Sequence, residues 1–429
     1  MALDNPISRR HALRLAGTAA AAAAATPLVS SCGAGAPKSE AGGDAFTVYW
    51  NAGHGYQAYE KVIDEFEQAH GVTVNFQKYQ WPDLRTRILA DFASGTVPDV
   101  VESPDVWAIE FAVSGDARSL RDFVDQDGAE MGFPDDWLPK TVERNTYQGE
   151  VYGIQVHYTC TTLVYNKRML DDAGVTPPST WDELLAAAKE LTGGDVHGLA
   201  LNQDYSYAWP WLLQNDVRLY DPETRQLLVD RAAAEEAFRF QADLVHRHKV
   251  SPVPVPSTDY AGPQKLLSAG RAAMIITGPW DLMPIAGTSP DLELGVAPAL
   301  RGASQVTSSA GASAFVPAKA KRPELSWDFL KRITALETER AATEEAGMLM
   351  PRKSWATSPE ATSDPHIKAF AENLPLAEDF LLDLAPTGKS GEVSDTLFKN
   401  LYQSIVVQNT PVSEALATFD AAAKRALAG

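Results

Sequence analysis

The apolar residues between Phe46 and Val101 change period in a fixed order, and that order constrains the fold more than any other feature of the chain. Phe46 to Trp50 is a short strand-like run, and Tyr59, Val62, Ile63 and Phe66 then recur at helical spacing. Val72, Val74 and Phe76 alternate at spacing two; Leu84, Ile88, Leu89 and Phe92 form a second helical stripe. Pro98-Asp99-Val100-Val101 opens another apolar strand. Spacing of two places alternate side chains on one face of a strand, and spacing of three to four builds one face of a helix. The β-α-β-α-β order predicts a parallel sheet covered by helices, an α/β class.

A second region of the same kind begins near Gly153, with a strand at Leu163-Val164-Tyr165 and a capping box at Thr180-Trp181-Asp182-Glu183. Leu184, Leu185 and Leu191 give that helix its apolar face, and Trp181 is expected to pack it rather than touch a ligand. Strands follow at Ala273 to Ile276, Leu294 to Val296 and Ala314 to Val316, and helices at Ser326 to Leu336 and Val412 to Leu427. The last helix has Thr410 as N-cap and Pro411 at its first position. A chain of 429 residues is too long for one ordinary core, so two domains are expected.

The N-terminus reads as an export signal. Ser8-Arg9-Arg10-His11-Ala12-Leu13 carries paired arginines, and Leu15 to Val29 is an apolar run too short for a comfortable membrane span. Ser30 and Ser31 before Cys32 look like a bacterial lipobox, with Cys32 as the lipid attachment site. Residues 1–31 are then a twin-arginine lipoprotein signal peptide, and 32–44, rich in Gly, Ala, Pro and Ser, a flexible tether. The formal charge of −19 becomes more negative once Arg9, Arg10, Arg14 and Asp4 are removed. So acidic a chain is unsuited to nucleic acid and to anionic lipid, leaving acylation as the membrane tether. With Cys32 acylated, Cys160 stands alone and no internal disulfide forms; it reads as a small packed residue.

Catalytic patterns are missing: there is no G-x-S-x-G, no H-E-x-x-H, no Walker loop and no G-x-G-x-x-G after a strand. His246-Arg247-His248 has its imidazoles pointing apart on a helix end, so no metal is expected, nor a cofactor. The many carboxylates leave a glycoside-hydrolase pair open, although nothing singles one out. Aromatics are more informative. Of ten tryptophans, Trp50, Trp107, Trp209, Trp211, Trp280 and Trp355 sit beside Gly, Pro, Asp or Ser in turn contexts. A flat ring serves the apolar face of a sugar, and Asp, Asn, His and Arg serve its hydroxyls, so the set points to a binding cleft.

Several segments resemble the extracellular solute-binding proteins of ATP-driven importers, in their maltose-binding-protein-like, sugar-binding branch. Leu89 to Val101 resembles the family's early helix–turn–strand element. Val151 to Val156, Leu163 to Lys167 and Pro178 to Leu184 resemble its crossover, and Gly270 to Trp280 its most recognisable signature. Gly311 to Val316 fits the return crossover. The resemblance implies a two-lobed periplasmic-binding-protein-like fold of type II, with a ligand cleft between lobes joined by hinge strands near 153–160 and 309–315. The N-terminal lobe is expected at 45–156 plus 313–350 and the C-terminal lobe at 157–312 plus 351–429.

The same resemblance places substrate-binding residues at His54, Ser103, Asp105, Tyr158, Thr159, Asp204, Tyr207, Trp209, Trp280, Gly311, Arg352 and Trp355. Gly-Pro-Trp at 278–280 matches the family's stacking aromatic directly. Gly53-His54 stands where the maltose pattern carries charged hydroxyl binders, and Tyr158-Thr159 replaces a carboxylate, which favours a sugar other than maltodextrin. The expectation is a monomeric, non-catalytic protein on the outer face of the cytoplasmic membrane, delivering a carbohydrate to the permease of an ABC importer. The alternatives are a binding protein for another polar solute, such as a polyol or osmolyte, and a secreted carbohydrate-active hydrolase.

Overall fold

The computed structural model describes residues 45–104, 106–255 and 261–428. The signal, the tether with Cys32, and Asp105 lie outside the described residues. The alternating run at the start forms strand β1 (Ala45–Asn51), which pairs in parallel with β2 (Thr73–Tyr79) and β3 (Val100–Pro104). Helices α1 (Gln57–His70) and α2 (Trp81–Ser94) connect them. Tyr59, Val62 and Phe66 form the buried stripe of α1. That helix stops at Gly71, whose φ of 64° lets its N–H turn back 2.8 Å to the Glu67 carbonyl. Phe46, Val48 and Trp50 of β1 pack with Phe66 and with Phe329 from helix Pro323–Ile333.

The sheet does not stay parallel. Strand Thr307–Phe315 runs antiparallel to β3, and strand Gly153–Cys160 runs antiparallel to Thr307–Phe315. Both also serve the second sheet's side of the molecule. Gly153–Cys160 passes through Thr161 into Thr162–Asn166, which belongs to a sheet ordered Leu294–Val296, Thr162–Asn166, Ala272–Thr277, His197–Ala200. Each crossing strand thus enters from one sheet and leaves toward the other, the two-lobed arrangement. The crossing is tied by hydroxyls: Thr307 Oγ1 donates to the Thr161 carbonyl at 2.5 Å, and Thr161 Oγ1 lies 3.3 Å from Ser308 Oγ.

One sequence expectation changes. The helix predicted over 326–336 ends at Ile333, and a new one spans Leu336–Ala346. The break forms because Arg352 takes the Thr334 carbonyl with Nε at 3.0 Å and Nη2 at 2.5 Å, so no further helical turn can use it. The segment after residue 350 also begins against first-lobe elements, with the Leu138 N–H donating to the Pro351 carbonyl at 2.9 Å. Cys160 is buried as expected, and burial pushes its thiol up to about 12.

Candidate functional site

The first-lobe face is built on the turn after β1. The Asn51 side chain accepts the Gly53 N–H at 2.7 Å, closing a short turn that delivers His54 to Glu102 on β3. His54 Nδ1 lies 2.6 Å from Glu102 Oε1, and the Asn51 N–H donates to Glu102 Oε2 at 2.7 Å. From the crossing strand, His157 brings Nδ1 to 3.7 Å from the same carboxylate oxygen. Its Nε2 lies 2.8 Å from the Tyr59 hydroxyl. Glu102 and His157 are wholly buried, whereas His54 keeps 14% of its side chain exposed. Burial, and then the neighbouring His54, hold the His157 imidazole well below the usual histidine range.

At the crossing itself, the Tyr158 hydroxyl and Thr159 Oγ1 are buried without a hydrogen-bond partner. The Arg144 guanidinium lies 5.8 Å from the Tyr158 ring and 3.3 Å from Asp379, which also accepts from Ser309. Burial raises the Tyr158 phenol, with Asp379 adding to the effect.

The second-lobe face gathers around Trp280. Gly278 and Pro279 end strand Ala272–Thr277, and the indole folds back over Gly278, where any β-carbon would meet the ring. Trp280 is half-buried and packs against both large apolar cores, so it sits at their boundary. Tyr207 lies among Thr277, Trp280 and Asp281, and Thr277 Oγ1 donates to Asp281 Oδ2 at 2.5 Å. Asp204 caps the turn Tyr205–Ala208 by accepting the Ser206 N–H at 2.9 Å, and burial raises its carboxyl above the ordinary value. Trp209 stacks on Phe380 with centroids 5.9 Å apart, its buried Nε1 without a hydrogen-bond partner.

Among the described residues, an ion-pair cluster around Arg85 joins the two faces, with Ser390 and the Gly391 N–H also donating to Glu110. Arg85 on α2 donates to Glu110 at 2.5 Å and reaches Asp395 at 3.1 Å, while the Tyr205 hydroxyl donates to Asp395 at 2.8 Å. Burial pushes the Asp395 carboxyl up to about 6 against the opposing pull of Arg85.

Four expected contacts take other roles. Arg352 is 5% exposed and fully engaged: beyond the Thr334 carbonyl, Nη1 donates to the Met131 carbonyl at 2.6 Å and to Asp136 at 3.1 Å. Its guanidinium also lies 3.9 Å from the Trp137 ring centroid, so it is a core cation of the first lobe. Trp355 is completely buried and donates to Thr343 at 2.9 Å. Ser103 is buried in a chain of polar groups beneath the hinge, with Ser313 donating to Gln155 at 3.0 Å. Gly311 has φ 136° and faces the His157 carbonyl, where a side chain would collide, so it permits the close approach of the crossing strands. The tryptophan set is likewise mostly core: Trp50, Trp107, Trp209, Trp211 and Trp355 are buried, and Trp280 stands apart as partly exposed.

Sequence reasoning missed Glu102, His157, Arg85 and Asp395. Glu102 interrupts an apolar strand, and His157 stands in Gly-Ile-Gln-Val-His-Tyr, each a polar residue on a buried strand that needs a partner. Arg85 and Asp395 are common helix-surface types, and only the fold brings them together. Two surface hollows, of about 460 and 560 Å³, lie elsewhere and include none of the expected site residues.

The pattern described as bacterial extracellular solute-binding protein matches residues 50–362. The chain is similar to a lactose-binding protein of Rhizobium radiobacter, 25% identical over 311 residues, covering 68% of this chain and 70% of that one. Among solved structures it is similar to the GacH receptor of Streptomyces glaucescens, crystallised unliganded and with acarbose, at a TM-score of 0.78 and 24% identity, covering 89% and 98% of the two chains. It is also similar to an ABC transporter solute-binding protein of Thermotoga lettingae bound with α-D-tagatose, at 0.79 and 21%, covering 90% and 100%. Among the described residues no helix is long and apolar enough to cross a membrane.

Proposed function

The chain belongs to the bacterial extracellular solute-binding proteins, and on that premise we propose that it is the carbohydrate-binding component of an ABC importer. The observation that carries the reading is Trp280. It is a half-buried indole at the boundary of both apolar cores, with Tyr207, Thr277 and Asp281 beside it. An apolar ring flanked by hydroxyls and a carboxylate matches a sugar's C–H face and hydroxyl rim. The lactose-binding and acarbose-binding relatives support the same ligand class.

His54, Tyr158, Thr159, Asp204, Tyr207, Trp209 and Trp280 are the contacts we assign to the cleft; Asp105 joins them on the sequence resemblance alone. Ser103 and Gly311 serve the hinge, and the segment around Arg352 goes to the first lobe rather than the second. The protein binds without turnover. Lobe closure excludes water around the hydroxyls and presents the permease with a surface that the open form lacks. Arg85 and Asp395 form one contact of the closed state. A twin-arginine signal exports the chain, and lipid on Cys32 tethers a monomer to the outer face of the cytoplasmic membrane.

The test is a thermal-shift screen of the full-length protein against mono- and disaccharides, polyols and osmolytes, with analysis of each mixture for products. A sugar at 100 times its Kd stabilises by about 2.7 kcal/mol if it binds only the folded state. A shift with a sugar and no product is the expected result. A shift confined to polyols or osmolytes replaces the ligand class, and hydrolysis products overturn the non-catalytic reading.

A further inference from the structure

Three metal-capable side chains meet on the first-lobe face, although the sequence alone suggested no metal. His54 comes from the turn after β1, Glu102 from β3 and His157 from the crossing strand. One donor atom from each lies within 4.8 Å of the other two. The pairs that include the carboxylate are 2.6 Å for His54 Nδ1 and 3.7 Å for His157 Nδ1, both to Glu102 Oε1. An ion with bonds of about 2.0–2.1 Å in tetrahedral geometry needs donors about 3.3 Å apart, so the His54 pair, a hydrogen bond here, opens and the His157 pair closes when the ion enters.

The surroundings are arranged as a ligand shell requires. The Asn51 N–H occupies Glu102 Oε2, which leaves Oε1 turned to the two imidazoles. The Tyr59 hydroxyl meets His157 Nε2 at 2.8 Å and thereby fixes the far side of that ring. His157 Nδ1, on a fully buried residue, has no hydrogen-bond partner. If Tyr59 accepts from Nε2–H, a bare Nδ1 lone pair faces a carboxylate oxygen and is repelled by it. If Tyr59 donates, the Nδ1–H stands 3.7 Å from that oxygen, too far for a hydrogen bond. Neither tautomer satisfies the group, and a cation between the three donors does.

We propose that His54, Glu102 and His157 bind a divalent transition-metal ion, and that the ion is zinc. Two imidazoles and one carboxylate are a zinc donor set, whereas calcium and magnesium require oxygen ligands. The protein supplies three ligands, and the part-exposed His54 side is where a fourth position opens. The assignment does not depend on the sugar reading, because the probe is the ion alone.

The full-length protein, without an affinity tag and stripped with chelator, is titrated with Zn²⁺ by calorimetry and with Co²⁺ by visible absorption. The expected result is one equivalent bound, with cobalt d–d bands and no thiolate charge-transfer band. His54→Ala and His157→Ala each weaken zinc binding by more than about 100-fold, and Tyr59→Phe weakens it about 10- to 100-fold. Glu102→Gln keeps the bond from the Asn51 N–H and reads the same loss should a histidine variant fail to fold. Absence of stoichiometric binding overturns the proposal. So does binding that survives in the histidine variants, which would place the ion elsewhere, for example at His246 and His248.

Discussion

Arg352→Ala separates a structural cation from a ligand contact, and the structure sets the size of its effect. The guanidinium satisfies the Thr334 and Met131 carbonyls, pairs with Asp136 at 3.1 Å and lies 3.5 Å from Glu339, whose carboxylate oxygens have no hydrogen-bond partner. Burial raises Glu339 well above the ordinary carboxyl range despite Arg352. Burial alone would also raise Asp136, but the Ser354 hydrogen bonds and Arg352 outweigh it and hold it low. Truncation therefore strands two buried carbonyls, removes one partner of Asp136, which keeps its Ser354 bonds, and uncovers the Trp137 face. An unsatisfied buried carbonyl costs about 1–3 kcal/mol, so the two together with the lost charge partner cost about 3–5 kcal/mol. Unfolding entropy of about 2.1 cal/mol/K per residue gives a folded body of this length on the order of 0.8 kcal/mol/K, so the melting temperature should fall by about 4–6 °C. Scanning calorimetry without ligand reads the shift, and titration with whichever sugar the screen identifies reads the affinity, which should stay within about threefold. An unchanged melting temperature with a tenfold loss of affinity would refute the reasoning and return Arg352 to the cleft.

The other variants probe the cleft, the hinge, the Arg85–Asp395 contact and the tether. Trp280→Ala should lose about 2 kcal/mol of sugar binding, roughly thirtyfold, while its ligand-free melting temperature falls less than that of Arg352→Ala; calorimetry and titration together decide it. Gly311→Ala should destabilise by more than about 1 kcal/mol in a denaturant melt, because a β-carbon meets the His157 carbonyl at a positive φ. The Asp395 carboxyl, raised to about 6 in the fold, binds its proton more tightly folded than unfolded. Its contribution is therefore full below the ordinary carboxylate range, near 3.8, and is lost as pH rises through about 6; melting curves of Asp395→Asn should lack that slope. Cys32→Ser should release the folded protein from the membrane fraction; a variant that stays membrane-bound without lipid would remove the lipoprotein reading.

The fold was legible where pattern alone decides it. Each apolar period from Phe46 to Val101 corresponds to an element, because strand and helix faces are set by local spacing and then buried against neighbours. Thr180 caps its helix as read, its hydroxyl accepting the Glu183 N–H at 3.2 Å. The helix break at Thr334 was not legible, since it is imposed by an arginine 18 residues further on. The site was half-legible for the same reason. His54 and Trp280 announce themselves through glycine-bounded turns, whereas the partners of His54 come from a strand 48 residues later and from the crossing strand.

The tryptophans show why residue type is a weaker signal than position. Trp355 and Trp280 both follow a proline-containing turn and read alike in sequence. Trp355 lies on a short helix against Leu336–Ala346, so its indole is enclosed and its N–H goes to Thr343. Trp280 follows a strand of the second sheet and borders both cores, and there its ring is left partly uncovered. What distinguishes the two is their place in the fold rather than their local sequence; the crossing between sheets is marked separately, by the polar residues it buries. Glu102, Gln155, His157, Thr159 and Ser313 all sit on or beside the crossing strands at 0–1% exposure. Burying so many polar side chains costs free energy unless each finds a partner. Gln155 and Ser313 find theirs within the hinge; His157 Nδ1 and Thr159 Oγ1 do not. The unmatched groups thus lie where the two lobes meet, and a hinge stabilised by a group that arrives from outside is one whose geometry responds to occupancy.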